Sequence, residues 1–364
     1  MSRKLLYLNG IAIFSVILFH SAGWVLTAMF SWFHRFYPAG LSPDILIGSP
    51  GYYGMRLIEQ FVVFSIPAFL FVSGYFAAFI TGKNRNTIGW KDVKPRIRNL
   101  LIPYLIWTVI VLGIGFFEGK RYSPIQIAVD VLIGNSTPAY YFVPLLIQFY
   151  LLAPIIVYLA KKYWLALLLA TGIFQVIIHL APTLALWGVR SDFADSLTAL
   201  TPKWVFISRL HWFTAGAIFG FHFTTLKDTI QKLRLVWIFG VFGLMILGFA
   251  ETEFFSGPIE MRETITDFIY TWFVILYFLS LKDVRLPWNS MVSELGSKSY
   301  GIYLAHIPVM EITSRGMYHL APFMIGQPYL LFILLMIIGL GVPLIAMRIM
   351  SRSFARRYAS LVFG

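Results

Sequence analysis

Residues 330–347 form an apolar run with no charged side chain. As a helix it crosses a hydrocarbon core about 30 Å thick, which takes roughly 20 residues. Comparable runs occupy residues 5–30, 57–80, 100–117, 140–159, 163–180, 205–223, 235–249, 265–281, 299–314 and 329–348. Inside a bilayer no water satisfies backbone N–H and C=O groups, so segments of this length cross as helices. The chain is 59% hydrophobic and 12% charged, whereas a soluble domain carries roughly 25% charged residues because its surface faces water. The pattern predicts an all-α polytopic membrane protein of about ten transmembrane helices. The first run follows Arg3 and Lys4 and is too long for the h-region of a cleaved signal peptide, so it reads as a signal anchor.

The net charge of +13 raises the question of nucleic acid or acidic ligands, and its distribution answers it. With the N-terminus in the cytoplasm, twenty of the 29 Lys and Arg residues fall on inner segments. They include Arg3, Lys4, Lys83, the group Lys91, Lys94, Arg96 and Arg98, then Lys161, Lys162, Lys282, Arg285 and Arg348. The remainder, Arg190 and Arg262 among them, are scattered over five outer loops or helix ends. The positive-inside rule accounts for this alternation and places both termini in the cytoplasm. The basic excess is then a surface near anionic headgroups, with no nucleic-acid partner implied. The longest connections, residues 31–56 and 181–204, hold no soluble domain, so residues 1–364 read as one membrane domain. There is no cysteine, hence no disulfide, thiolate metal site or cysteine nucleophile. No histidine pair has the i, i+4 zinc spacing and no Gly-rich phosphate loop occurs, so no metal is expected.

Ionisable residues within spans are costly and are functional candidates by default. His20 stands fifteen residues beyond Leu5, about 22 Å along the first helix, in its outward half. Asn9 precedes it by eleven residues, which returns within about 20° of the same face. Glu59, near the outer start of the second helix, fits either a carboxylate that orients the His20 imidazole or an interfacial group facing water. His306 enters the ninth run at mid-depth. Arg209 and His211 lie near the outer end of the sixth, where snorkelling to the interface is the plain explanation. Pro67, Pro103, Pro144, Pro154, Pro308 and Pro343 fall in apolar segments, and each predicts a kink.

The stretch Tyr7-Leu8-Asn9-Gly10-Ile11-Ala12-Ile13-Phe14-Ser15-Val16-Ile17-Leu18-Phe19-His20 resembles the first helix of the acyltransferase-3 family of integral membrane acyltransferases. Four further stretches match that family in order. They are Ile66-Pro67-Ala68-Phe69-Leu70-Phe71-Val72-Ser73-Gly74-Tyr75, Arg96-Ile97-Arg98-Asn99-Leu100-Leu101-Ile102-Pro103-Tyr104, Tyr140-Tyr141-Phe142-Val143-Pro144-Leu145-Leu146, and Gly296 through Ser299-Tyr300-Gly301-Ile302-Tyr303-Leu304-Ala305-His306-Ile307-Pro308. The chain departs from the family at two points. Asn9 stands where an Arg or Lys is usual, and Arg96 is followed by Asn99 where a second arginine is usual.

The resemblance implies transfer of an acyl group, commonly acetyl from acetyl-CoA, to a hydroxyl of a sugar, polysaccharide or lipid-linked glycan in the cell membrane. His20 is then a general base or a transient acyl carrier, with Ser73, Tyr75 and Tyr300 as positioning donors. Arg96 and Arg98, with Lys91 and Lys94, form a rim suited to the phosphates of acyl-CoA. Two other classes stay open: a transporter or flippase for a glycan or lipid, and a non-catalytic relative made credible by Asn9.

Overall fold

The computed structural model describes residues 2–82, 84–189, 191–255, 263–281 and 286–364. Lys83, Arg190, Arg262, Lys282 and Arg285 of the charge pattern lie outside these residues. Every regular element among the described residues is helical. In chain order they are α1 (Ser2–Ser31), α2 (Pro50–Val62), α3 (Ser65–Thr81), α4 (Trp90–Phe117), α5 (Pro124–Ile133), α6 (Phe142–Lys162), α7 (Trp164–Leu186) and α8 (Asp192–Leu200). There follow α9 (Leu210–Lys232), α10 (Arg234–Phe255), α11 (Ile265–Ser280), α12 (Asn289–Ser297), α13 (Ser299–Leu320), α14 (Pro322–Ile325), α15 (Pro328–Arg352) and α16 (Ala359–Phe363). Among the described residues seven spans are long and apolar enough to cross a membrane, α2 and α3 together counting as one. The protein is therefore an all-α, multi-pass membrane protein. The helices α5, α8 and α12 lie in stretches that hydropathy reads as connections.

Proline chemistry shapes the helices that matter most. The run at residues 57–80 predicts one helix, but the chain breaks at Val63 and Phe64 between α2 and α3. Pro67 has no N–H for the Val63 carbonyl and its ring crowds that carbonyl, which disfavours a continuous helix there. The Tyr270 hydroxyl of α11 donates to the Phe61 carbonyl at this break, at 2.8 Å. Pro308 likewise removes the donor to the Leu304 carbonyl in α13, yet the helix continues. Tyr140, in the turn just before α6, supplies the missing bond, its hydroxyl 2.6 Å from Leu304 O.

Small residues set the closest packing. Between α3 and α9, a Cβ on Gly74 would collide with the Phe213 backbone, and one on Gly216 with the Phe71 backbone. A Cβ on Gly10 of α1 would strike Val292 of α12, and one on Gly296 would strike Leu6. Interfaces of this kind let membrane helices gain dispersion contacts where burial from water offers no drive. The first helix packs against α2, α3, α12, α13 and α15. It runs parallel to α13 and in step with it. His20 meets His306, and Trp32 meets Tyr318 twelve residues further along each helix.

The basic side chains gather at the end of the bundle where α1 begins. Lys4 Nζ donates to Leu281 O beyond α11, and Lys161 Nζ to Arg85 O across two helix turns. Lys91, Lys94, Arg98, Lys162, Lys227, Lys232, Arg234 and Arg352 are exposed there. Buried polar ties hold the opposite end. Arg56 Nε donates to Glu253 and its Nη1 to Glu59, while Gln60 donates to Asp267 at 2.8 Å. Arg209 pairs with Glu263. Burial pushes the Glu263 carboxyl up, but the Arg209 guanidinium, helped by His179 and Lys203, more than reverses this and holds it below the usual carboxylate range.

Two measurements follow. Gly216→Leu forces the α3–α9 seam apart and lowers stability by roughly 1–3 kcal/mol, read as a lower thermal midpoint in detergent, whereas Gly243→Leu, with open space around it, leaves the midpoint unchanged. Because Glu263 is depressed in the folded state, its contribution is present above its unfolded value and disappears as pH falls through the folded one. The midpoint therefore drops below about pH 4.3, the unperturbed glutamate value, and Glu263→Gln flattens that limb.

Candidate active site

The two histidines read separately in the sequence meet in the structure. The imidazole rings of His20 and His306 lie 5.2 Å apart between centroids, inclined at 49°. His306 is fully buried, and its Nδ1 lies 2.6 Å from Tyr303 O. A helix carbonyl only accepts, so Nδ1 carries the proton and Nε2 keeps a free lone pair. That Nε2 is buried without a hydrogen-bond partner. His20 has Phe19 edge-on at 5.4 Å and no hydrogen-bond partner among the described residues. The residue remains partly accessible.

Counting from Leu5 places His20 in the outward half of its helix, and the structure moves this level. Its partner His306 is only seven residues beyond Ser299, the first residue of α13, or about 10 Å along the axis. The initial turns of α1 extend past the start of α13 to pack on α12, through Leu6 against Gly296 and Gly10 against Val292. The histidine pair is thus nearer the basic end than the first helix alone suggests.

A layer of tyrosines frames the pair. Tyr303 lies 5.8 Å from the His306 ring, 6.5 Å from Tyr140 and 5.6 Å from Phe142. Tyr104 of α4 stands 5.9 Å from Tyr140 and donates to Val131 O at 2.7 Å. Tyr303 donates to Ala139 O. Each hydroxyl is committed to a main-chain carbonyl, so these side chains tie α4 to α5, and α13 to the turn that leads into α6. Tyr300, expected as a donor to substrate, is likewise spent on Leu100 O at 2.5 Å.

Arg96 and Tyr104 share one face of α4, eight residues apart. The Arg96 guanidinium carbon is 5.8 Å from the Tyr150 ring centre, and its Nε is buried without a partner. Arg98, Lys91 and Lys94 are exposed at the same end. The basic rim therefore has an inner member and outer members. Asn9 is half-buried on α1 with its Oδ1 unpartnered. Ser73 is half-buried, one turn beyond Phe69, whose ring packs 6.0 Å from Phe142. Tyr75 is buried with its ring against Phe76, beside the α3–α9 seam; no contact joins it to the histidines.

Glu59 does not meet His20. Its Oε2 accepts from Arg56 at 3.2 Å, within the same helix and the polar ties of the opposite end. The group against His20 is instead a second imidazole. Arg209 and His211 do not snorkel either, since both are buried. Arg209 has Glu263 and the Tyr141 ring as neighbours. His211 Nε2 accepts from Trp272 Nε1 at 3.0 Å, which leaves its Nδ1–H for Thr171 Oγ1 at 3.1 Å. Among the described residues no group of three His, Cys, Asp or Glu could hold a metal ion. Sequence reasoning missed Tyr104, Tyr140 and Tyr303 as a framework, although all three stand inside the motifs that carry the family resemblance.

No match to this chain is found among curated proteins or among solved structures. A family model described as an acyltransferase domain, that of the acyltransferase-3 family, matches residues 5–348. It takes in both histidines, the tyrosine layer and Arg96, and the chain belongs to the acyltransferase-3 family of membrane proteins.

Proposed function

We propose that this protein transfers an acyl group, acetyl in the simplest case, from acyl-CoA to a hydroxyl of a sugar, polysaccharide or lipid-linked glycan in the cell membrane. The observation that carries the reading is the apposition of His20 and the unpartnered Nε2 of His306. Membership of an acyltransferase family supports the reaction class. The charge asymmetry supports ten spans with both termini and the basic end in the cytoplasm, where acyl-CoA is available.

In this mechanism His20 is the general base. The residue is partly accessible and has no hydrogen-bond partner among the described residues, so it is free to meet an incoming hydroxyl. The hydroxyl oxygen bonds to the acyl carbon, the carbon–sulfur bond breaks, and the hydroxyl proton passes through His20 to the sulfur. His306 does the orienting work first assigned to Glu59. With Nδ1–H held by Tyr303 O, its Nε2 offers a lone pair to the imidazolium formed at His20. Arg96, with an unspent Nε beside Tyr150, is the inner contact for donor phosphate, and the exposed Arg98, Lys91 and Lys94 are outer contacts. Asn9, on the His20 face of α1, adds a neutral polar contact where relatives carry a cation.

Reconstituted protein with labelled acetyl-CoA and cell-envelope acceptor tests this. His20→Ala lowers acyl transfer by about 10²–10⁴-fold while CoA binding persists; a stably inserted His20→Ala protein with the wild-type rate would falsify the assignment. His306→Phe keeps the ring volume but not the acceptor nitrogen. It lowers kcat by about 10-fold or more and shifts the acid limb of the pH–rate profile, with CoA affinity unchanged. Arg96→Gln weakens CoA binding without moving that limb.

A further inference from the structure

Away from the histidine pair, the flank formed by α7, α9 and α11 encloses a cavity of about 790 Å³, open on one side. Its walls are aliphatic and aromatic, and none of its lining residues is charged. His211 lies on the floor, opposite Gly172. Its two nitrogens are both satisfied, one by Trp272 and one by Thr171, whose own hydroxyl donates to Leu167 O at 2.8 Å. The floor therefore asks for no water and no polar ligand. An apolar void of this size, facing hydrocarbon along membrane-spanning helices, fills with hydrocarbon, since close packing is the rule and an empty space costs energy.

The geometry states which hydrocarbon. Along α7 the cavity runs from Trp164 to Ile177, about 20 Å at 1.5 Å per residue. That exceeds half of a core about 30 Å thick, so a chain lying in it starts at one interface and passes the midplane. Its beginning is at the basic end, where the α6–α7 and α9–α10 turns meet. Trp164 and Trp237 line this mouth, and tryptophan favours the headgroup level. Exposed Lys162 precedes Trp164 by two residues, its Nζ over the Tyr163 ring, and exposed Lys232 and Arg234 bracket the lining residue Leu233, with Lys227 next to the lining residue Leu226. Four cations around an apolar slot match a phosphate headgroup above an alkyl chain.

We propose that the α7–α9–α11 cavity is a binding site for one acyl chain of an anionic phospholipid of the membrane itself, with the headgroup phosphate held by Lys162, Lys232 and Arg234. This site stands apart from the histidine pair and does not depend on the acyl-transfer reading. A resident lipid would complete the packing of three helices that leave a gap between them.

The test uses the full chain in phosphatidylcholine nanodiscs containing a trace of phosphatidylglycerol with a diazirine at its chain terminus, followed by peptide mapping after illumination. Crosslinks are expected on the α7 and α11 peptides that include Gly172 and Trp272. Added phosphatidylglycerol should compete at least ten-fold better than added phosphatidylcholine. Lys232→Gln with Arg234→Gln, two exposed changes that leave the fold intact, should reduce that preference three-fold or more, and Leu168→Trp should abolish the α7 crosslink. Crosslinks spread evenly over α4, α10 and α15 would overturn the site, as annular lipid gives that pattern. Equal competition by the two phospholipids, or stronger competition by a polyprenyl phosphate, would overturn the anionic phospholipid as its occupant.

Discussion

A carbonyl left without a donor inside a membrane has to find one, and the bond from Tyr140 to Leu304 O meets that demand at the centre of this protein. Pro308 makes the demand, two residues after His306 on the same helix. The hydroxyl that answers it comes from the turn leading into α6, so the bond pins two distant segments at the level of the histidine. Tyr303 and Tyr104 repeat the arrangement with Ala139 and Val131. Three phenols thereby convert irregularities in the main chain into a rigid frame. The same rule operates at the α2–α3 break, where Tyr270 serves the Phe61 carbonyl.

Within that frame the histidines differ in freedom. His306 has one nitrogen fixed by its own helix and the other unpartnered, so its tautomer is determined before any substrate arrives. His20 is held through ring contacts and remains partly accessible. One imidazole is fixed by its own helix and the other by ring contacts, the asymmetry on which the proposed proton transfer draws. Glu59 pairs instead with Arg56, one turn away on the same helix.

Much of the architecture was legible in the sequence because hydrocarbon imposes a length and composition on every crossing helix. Seven spans meet that criterion outright. Residues 265–280 were recognised by apolar content, and the structure gives them only sixteen residues. What hydropathy cannot register is a helix that serves packing alone, such as α12, whose value lies in Gly296 meeting Leu6. The site was half legible. His20 and His306 stood out as costly residues, but their meeting depends on α1 and α13 running in step, which no local pattern encodes. His211 was costly too, and only its Trp272 and Thr171 partners reveal it as a closed hydrogen-bond chain.

The pairing of the first helix with α13 also has a meaning in time. Ribosomes add roughly 5–20 residues per second, and His306 follows His20 by about 286 positions, so α1 waits on the order of ten seconds to a minute for its partner. Throughout that interval Asn9 and His20 present a polar stripe that the finished protein half-buries. Until then its companions are the helices already inserted, of which α2 and α3 pack against it in the completed fold. The histidine pair therefore waits for α13, since both helices must be in the membrane before the rings can meet.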